Sequence, residues 1–282
     1  MADDQVPAIP AQFVAGNKQI ITDKYVPKSV EYEGTAFKLK IFQRLNASKI
    51  TFKNVSFQHS VFDSCYLPHC VFDSCDFTGC RFIGTNFNQS SFHGSRFDYA
   101  TFERCQVDSD ILRAWLPKED NLKMRFVRSL RMNFQQIGDA KAVNEAITLE
   151  LEATARHLLA SWWSEDVFHR NKYPGLRRIG QFWAWVGFWI LHFIWGNGES
   201  VLALLRSIIL VMAAIAIFEA NSGPGPATIF SYLNSAKVAP AIFLGVEQFS
   251  VHSTFAASIV VATRLIAISL LTALLAKRFG RR

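Results

Sequence analysis

Large apolar residues recur at every fifth position through the first part of the chain. The series runs Phe52, Phe57, Phe62, Leu67, Phe72, Phe77, Phe82, Phe87, Phe92, Phe97, Phe102 and Val107, with Phe37 and Phe42 in the same phase and Ala47 a weak link. Two positions before each stands a small or thin residue, such as Val55, Ser60, Cys65, Cys70, Cys75, Cys80, Thr85, Ser90, Ser95, Ala100 and Cys105. The positions between are mostly polar. A period of five fits neither a helix nor a simple strand. It fits a chain that turns a corner every five residues, four corners to a coil, with one large and one small side chain pointing inward on each face. Coils of this kind stack ~4.8 Å apart through ladder hydrogen bonds. Residues twenty apart then lie in one column, so Phe52, Phe72 and Phe92 are expected to stack.

The pattern changes near Val107. Leu116-Pro117-Lys118-Glu119-Asp120 reads as a turn and a helix start. Leu122, Phe126, Leu130 and Phe134 keep helical spacing over about 120–137, and Gly138-Asp139 ends that run. A second helix is expected over about 140–162, with Val143, Ile147, Leu151 and Leu158 as its apolar stripe. Lys123, Arg125, Arg128 and Arg131 decorate the first helix; this basic face reads first as a solvated face packed near Glu145, Glu150 and Glu152, and second as one that binds acidic lipid or nucleic acid.

Residues 176–198 are unusually aromatic. Trp183, Trp185, Trp189 and Trp195 lie here, and the apolar stretch is shorter than the ~20 residues needed to span a ~30 Å hydrocarbon core. Tryptophan favours the headgroup level, so this segment is expected to be an interfacial helix with these four residues as anchors. Two longer runs follow, about 201–219 and 255–276, each long enough to span. Between them, about 229–249 is too polar to span easily and too apolar for an ordinary loop, which fits a re-entrant or surface-lying helix.

The repeat motif, read as Cys70-Val71-Phe72-Asp73-Ser74 and Cys75-Asp76-Phe77-Thr78-Gly79, resembles that of the pentapeptide-repeat family over about residues 35–110. The resemblance implies a right-handed quadrilateral β-helix of roughly four coils. The expected fold class is therefore β + α: that β-helix, a helical linker, and a two-helix transmembrane module. The expected segments are an N-terminal arm or cap (1–34), the solenoid (35–110), a helical linker (111–175), the interfacial helix (176–198) and the membrane module (199–282).

The membrane part resembles a second group, pentapeptide-repeat proteins that end in an ion-channel-like pore domain. The resemblance is carried by Phe126-Val127-Arg128-Ser129-Leu130 with Ile137-Gly138-Asp139-Ala140 and Glu150, by Trp195-Gly196-Asn197-Gly198-Glu199, and by Arg264-Leu265 with Lys277-Arg278-Phe279. It implies a bacterial inner-membrane channel subunit, a homo-oligomer and most simply a tetramer, because two spans cannot enclose a pore. A potassium filter needs a Thr-x-Gly-Tyr-Gly strand. Here the chain reads Gly245-Val246-Glu247-Gln248-Phe249-Ser250-Val251-His252-Ser253-Thr254 instead. Conduction would then use side chains, and Glu247, His252 and Arg264 are the pore or filter candidates. A charge within a span costs roughly 2.5–3.5 kcal/mol on insertion scales. Arg264 is thus expected to line a pore and favour anions, to pair with Glu247 or Glu219, or to reach the outer interface from a span that starts near Ser258.

Charge and cysteine content narrow the alternatives. Of 282 residues, 50% are hydrophobic, and the formal charge is +7 with much of the basic surplus beside the apolar runs. That placement suits a bilayer surface, and by the positive-inside rule Lys277, Arg278, Arg281 and Arg282 put the C-terminus in the cytoplasm, and with two spans the N-terminus too. The first residues show no basic stretch leading into an apolar one, so no signal peptide is expected. Cys65, Cys70, Cys75 and Cys80 follow the period of the fold and occupy its small inward slot, so they read as core and not as a metal cluster. No cofactor, metal or catalytic residue is expected. A DNA-mimicking rod requires strong acidity; residues 50–110 hold seven acids against four bases, so nucleic acid is not an expected partner. The readings that remain are a channel-like protein with a cytoplasmic sensor or assembly domain, and a membrane-anchored scaffold that conducts nothing and offers the solenoid to a protein partner.

Overall fold

A computed structural model describes residues 19–26, 31–222, 228–249 and 254–279. The chain divides into two compact units, residues 1–154 and 155–282, with the boundary inside a long helix.

The described residues of the first unit form nine short strands: β1 (Gln19–Thr22), β2 (Glu31–Glu33), β3 (Lys40–Gln43), β4 (Thr51–Lys53), β5 (Val61–Asp63), β6 (Val71–Asp73), β7 (Arg81–Ile83), β8 (Ser91–His93) and β9 (Thr101–Glu103). They form two parallel sheets, ordered β1-β3-β5-β7-β9 and β2-β4-β6-β8. Partners stand twenty residues apart, as in Phe52 with Phe72 and Phe72 with Phe92. Single bridges close the other two faces, through Asn46, Tyr66, Asn86 and Gln106, and through Ala36, Ser56, Asp76 and Arg96. The result is a four-faced β-solenoid of about four turns.

The five-residue period has three local causes. The first is the corner. Two positions after each large inward residue the backbone enters the left-handed region, at Leu39, Arg44, Lys49, Asn54, His59, Ser64, Gly79 and Gly84 among others. The second is the aromatic column. Phe52, Phe72 and Phe92 stack with ring centres 5.0 and 5.1 Å apart, and Phe57, Phe77 and Phe97 do so at 5.2 Å. Successive columns meet edge to face, as in Phe72 with Phe77 at 5.4 Å, the geometry that aromatic quadrupoles prefer.

The third is the small slot, which does more than leave room. Hydroxyls and thiols there donate to a carbonyl 23 residues earlier: Ser60 to Phe37, Cys70 to Ala47, Cys75 to Phe52, Thr85 to Phe62 and Ser95 to Phe72. Ser60, Thr85, Ser90 and Ser95 also accept a backbone N–H from the residue twenty before. The slot therefore stitches coil to coil in an otherwise apolar interior, where an unmet backbone group costs most. Burial pushes the Cys65 and Cys75 thiols up to about 11, and raises Cys70 and Cys105 as well. Such thiols are poor nucleophiles and poor metal ligands.

Among the described residues the first strand is at Gln19–Thr22, inside the segment that the sequence assigns to an N-terminal arm. The register explains why. β1 pairs with β3 at an offset of 21, as in Ile20 with Ile41, whereas β2 pairs with β4 at 20. One extra residue between Tyr25 and Glu31 puts Ile21 and Val26 out of phase with the later repeats, although both pack against the same core.

Among the described residues eight α-helices follow: α1 (Ile111–Ala114), α2 (Asp120–Ile137), α3 (Ala140–Trp163), α4 (Val167–Lys172), α5 (Arg177–Trp195), α6 (Val201–Ser222), α7 (Ile229–Leu244) and α8 (Thr254–Phe279). α2 and the first half of α3 are not a free linker, because they share the solenoid's core. Phe126 stacks on Phe97 at 5.3 Å, standing where a further coil would place its phenylalanine. Leu122, Val127, Leu130 and Phe134 are buried beside it, with Val143 and Ile147 of α3. Polar residues on α2 meet the open ladder of the last coil: Ser129 Oγ accepts from Phe102 N, Gln136 Oε1 from Arg104 N, and Asn133 Oδ1 from Cys105 N. Exposed ladder edges invite pairing with other chains, and this helix covers one. Arg128 and Arg131 pair with Glu150 of α3, and Arg113 of α1 with Glu145.

Candidate functional site

The second unit carries helices that its own packing leaves largely uncovered. α6 and α8 are long and apolar enough to cross a membrane, with only 17% and 11% of their most apolar stretches buried. Leu202, Ile209, Phe255, Leu265 and Ile266 are exposed. A stretch of 18 or more apolar residues left uncovered in water would be strongly unfavourable.

α5 has no buried residue. Trp183 and Trp189 are exposed on it, while Trp185 and Trp195 are half-buried. Trp185 packs with Phe182 against Trp162 of α3. α5 ends at Gly196, and three successive left-handed residues, Gly196, Asn197 and Gly198, reverse the chain into α6. A Cβ on Gly196 would run into Ser200, so the reversal depends on glycine. Lys277, near the end of α8, donates to the Gly198 carbonyl and forms an ion pair with Glu199. This fastens the end of α8 to the beginning of α6.

α7 lies between these two helices in sequence and runs back along α6. At its start Thr228 forms a capping box with Ser231, and Tyr232 bonds Asn221 near the end of α6. At its other end Ile242 and Phe243 share an apolar cluster with Ile208, Val211, Met212, Ile215 and Ala216 of α6, joined by Ala267 of α8. The chain then turns back, and Phe249 packs edge to face on Phe218 at 5.4 Å. At 1.5 Å per residue, sixteen residues reach about 24 Å, short of a ~30 Å core. The helix runs beside α6, and the described residues after it, 245–249, bring Phe249 back to Phe218.

The turn at the bottom of α7 gathers two of the three sequence candidates. Gly245 caps the helix in the left-handed conformation, φ +80°, and its N–H bonds the Ala241 and Ile242 carbonyls. The Arg264 guanidinium lies directly against this glycine, where a Cβ would collide with Nη1. Arg264 and Glu247 both line one cavity of 470 Å³, walled by Ile242, Phe249, Ala257 and Val260. Among the described residues, no ion pair joins Arg264 to Glu247 or to Glu219. His252, the third candidate, lies outside the described residues. α8 is helical from Thr254, which places Arg264 about 15 Å along it. Sequence reasoning missed Gly245 as the partner of Arg264. A lone glycine after an apolar helix signals a cap, but nothing in the sequence says which distant side chain will use the space.

The solenoid provides the comparison with known proteins. Residues 62–111 match the family model described as pentapeptide repeats (9 copies). No curated protein matches the chain. Among solved structures, the chain is similar to a trypsin-treated form of QnrB1, a plasmid-mediated fluoroquinolone resistance protein, at 12% identity over 33% of this chain and 64% of that one, with a TM-score of 0.14. The chain spans less than two thirds of that protein. The matched residues run from β5 through β9 into the start of α1, so the part of the chain that matches the pentapeptide-repeat model folds as a β-solenoid.

Proposed function

We propose that this protein is an oligomeric, ion-channel-like membrane protein whose pentapeptide-repeat solenoid is a cytoplasmic sensor or assembly domain. One observation carries the reading: a short helix, α7, runs back along an apolar helix of spanning length, and the chain after it turns toward the next one. Backbone that is not helical at membrane depth is tolerated only where protein or a water-filled path surrounds it. In α6–α7–α8 that path would form where several copies meet, since two spans cannot enclose it alone. Four copies are the arrangement the sequence resemblance suggests. Basic residues at the end of α8 favour a cytoplasmic C-terminus, and the tie from Lys277 to Glu199 supports the start of α6 on the same side. The solenoid would then lie in the cytoplasm. Reconstituting the full-length protein in liposomes and recording ion flux tests this: flux above empty vesicles supports it, and silence at every gradient overturns it.

A second reading is a non-conducting, membrane-anchored scaffold that presents the solenoid to a protein partner. It is favoured by the return segment itself. Gly245-Val246-Glu247-Gln248-Phe249 lacks the glycine pair that a carbonyl-lined filter needs. The same liposome measurement separates the two, because a scaffold passes no ions.

A further inference from the structure

The end of α7 is a place where a re-entrant helix ordinarily offers charge to an ion. The last four carbonyls of a helix lack intrahelical partners and carry a partial negative charge. Here the cap N–H groups of Gly245 and Val246 take the carbonyls of Ala241 and Ile242. The negative end that remains belongs to Phe243 and Leu244, both directly before the glycine. Against that glycine stands Arg264, brought across from α8.

We propose that Arg264 is a tethered cation, held at the α7 C-terminus in the position a mobile cation would otherwise take, and that it makes the re-entrant site reject cations. The proposal rests on reading α7 as re-entrant. Arginine keeps its charge in any protein setting, so the place beside Gly245 stays positive. Gly245 is the complement, because any side chain there would occupy the guanidinium's space. Glu247 lines the same cavity and adds a carboxylate to the negative surroundings. An ion crossing near α7 meets a fixed positive charge, and the class it admits is a small anion, chloride being the simplest probe.

The test uses full-length protein in detergent and in liposomes. In Arg264→Gln the vacated position is open, so exchanging N-methylglucamine for potassium at constant ionic strength raises the melting temperature by several degrees, while wild type is unmoved. Arg264→Lys keeps a tethered charge and stays insensitive to potassium. In liposomes the potassium-to-chloride permeability ratio rises at least tenfold in Arg264→Gln. Potassium insensitivity of a folded Arg264→Gln protein overturns the proposal, and so does wild type gaining as much from potassium as the variant. Should Arg264→Gln not fold, Arg264→Lys and Arg264→Met decide: folding restored by lysine alone supports the tethered charge, and an equally stable, potassium-indifferent methionine variant overturns it. Liposomes silent for every variant sink the channel reading alone, since the thermal shifts still report on the α7 terminus.

Discussion

The side-chain amide of Asn133 and the backbone of Cys105 are joined as two strands would be: Asn133 Oδ1 accepts from Cys105 N at 2.6 Å, and Nδ2 donates to Cys105 O at 2.8 Å. Asn133 is fully buried. One side chain thus supplies the donor and the acceptor that a further coil would have supplied. Replacing it by leucine strands both backbone groups of Cys105, at about 1–3 kcal/mol for each unmet group. Asn133→Leu should lower stability by about 2–6 kcal/mol, and Asn133→Asp by at least as much, because its carboxylate would be buried against the Cys105 carbonyl oxygen. Chemical denaturation followed by the strand signal in circular dichroism checks the order; equal stabilities for wild type and leucine would refute the capping role.

Phe77 sits at the middle of its column, fully buried, stacked 5.2 Å from both Phe57 and Phe97. Phe77→Ala leaves a void that stacked coils cannot close, and large-to-small core changes of this kind cost about 3–5 kcal/mol. Phe77→Leu should cost far less, since Leu67 already fills an equivalent position with 1% exposure. The same denaturation experiment reads both. A leucine variant as damaged as the alanine one would mean that ring stacking, and not volume, dominates the core.

The buried thiols give a pH signature. Cys65 and Cys75 titrate near 11 in the folded protein, because burial disfavours the thiolate, against 9.0 for the free side chain. Between these values the unfolded chain releases protons that the folded one retains, so stability falls as pH rises from about 9 to about 11. Below pH 9 the contribution is complete. Changing both cysteines to serine should flatten this part of the profile. At pH 8, thiol reagents should label neither residue until the solenoid unfolds, and rapid labelling of native protein would contradict the burial argument.

Lys277 and Glu199 tie the end of α8 to the elbow before α6. Both side chains are partly exposed, so breaking the pair should cost only about 1 kcal/mol. Glu199→Lys puts two like charges together and should lower the melting temperature of the detergent-solubilised protein. The double exchange, Glu199→Lys with Lys277→Glu, should recover most of the loss. No recovery would mean that the two ends are not held together by charge.

The repeat, the boundaries of α2 and α5, the start of α7 and the two helices of spanning length were legible in the sequence because each rests on local chemistry, whereas α7 ends at Leu244 and not near 249. A corner every five residues, an inward phenylalanine and a small slot are properties of a few neighbouring positions. So are the 3.6-residue stripe of Leu122, Phe126, Leu130 and Phe134 and the uninterrupted apolar run of α6. Even the stacking of Phe52 on Phe72 follows once the coil length is known, since repetition converts local geometry into long-range contact.

Tertiary structure alone decided where that regularity stops and what meets it there. A single extra residue between Tyr25 and Glu31 hides the first coil from a fixed period, yet β1 still pairs with β3. Ser129, Asn133 and Gln136 read as ordinary polar residues on an amphipathic helix, and only the docking of α2 turns them into the end of a β-ladder. Gly245 and Arg264 stand on different helices, and their meeting depends on how α7 and α8 pack. Periodicity encodes contacts that repeat; a cap, a phase slip and a charge placed against a helix end each occur once, so they leave no period to read.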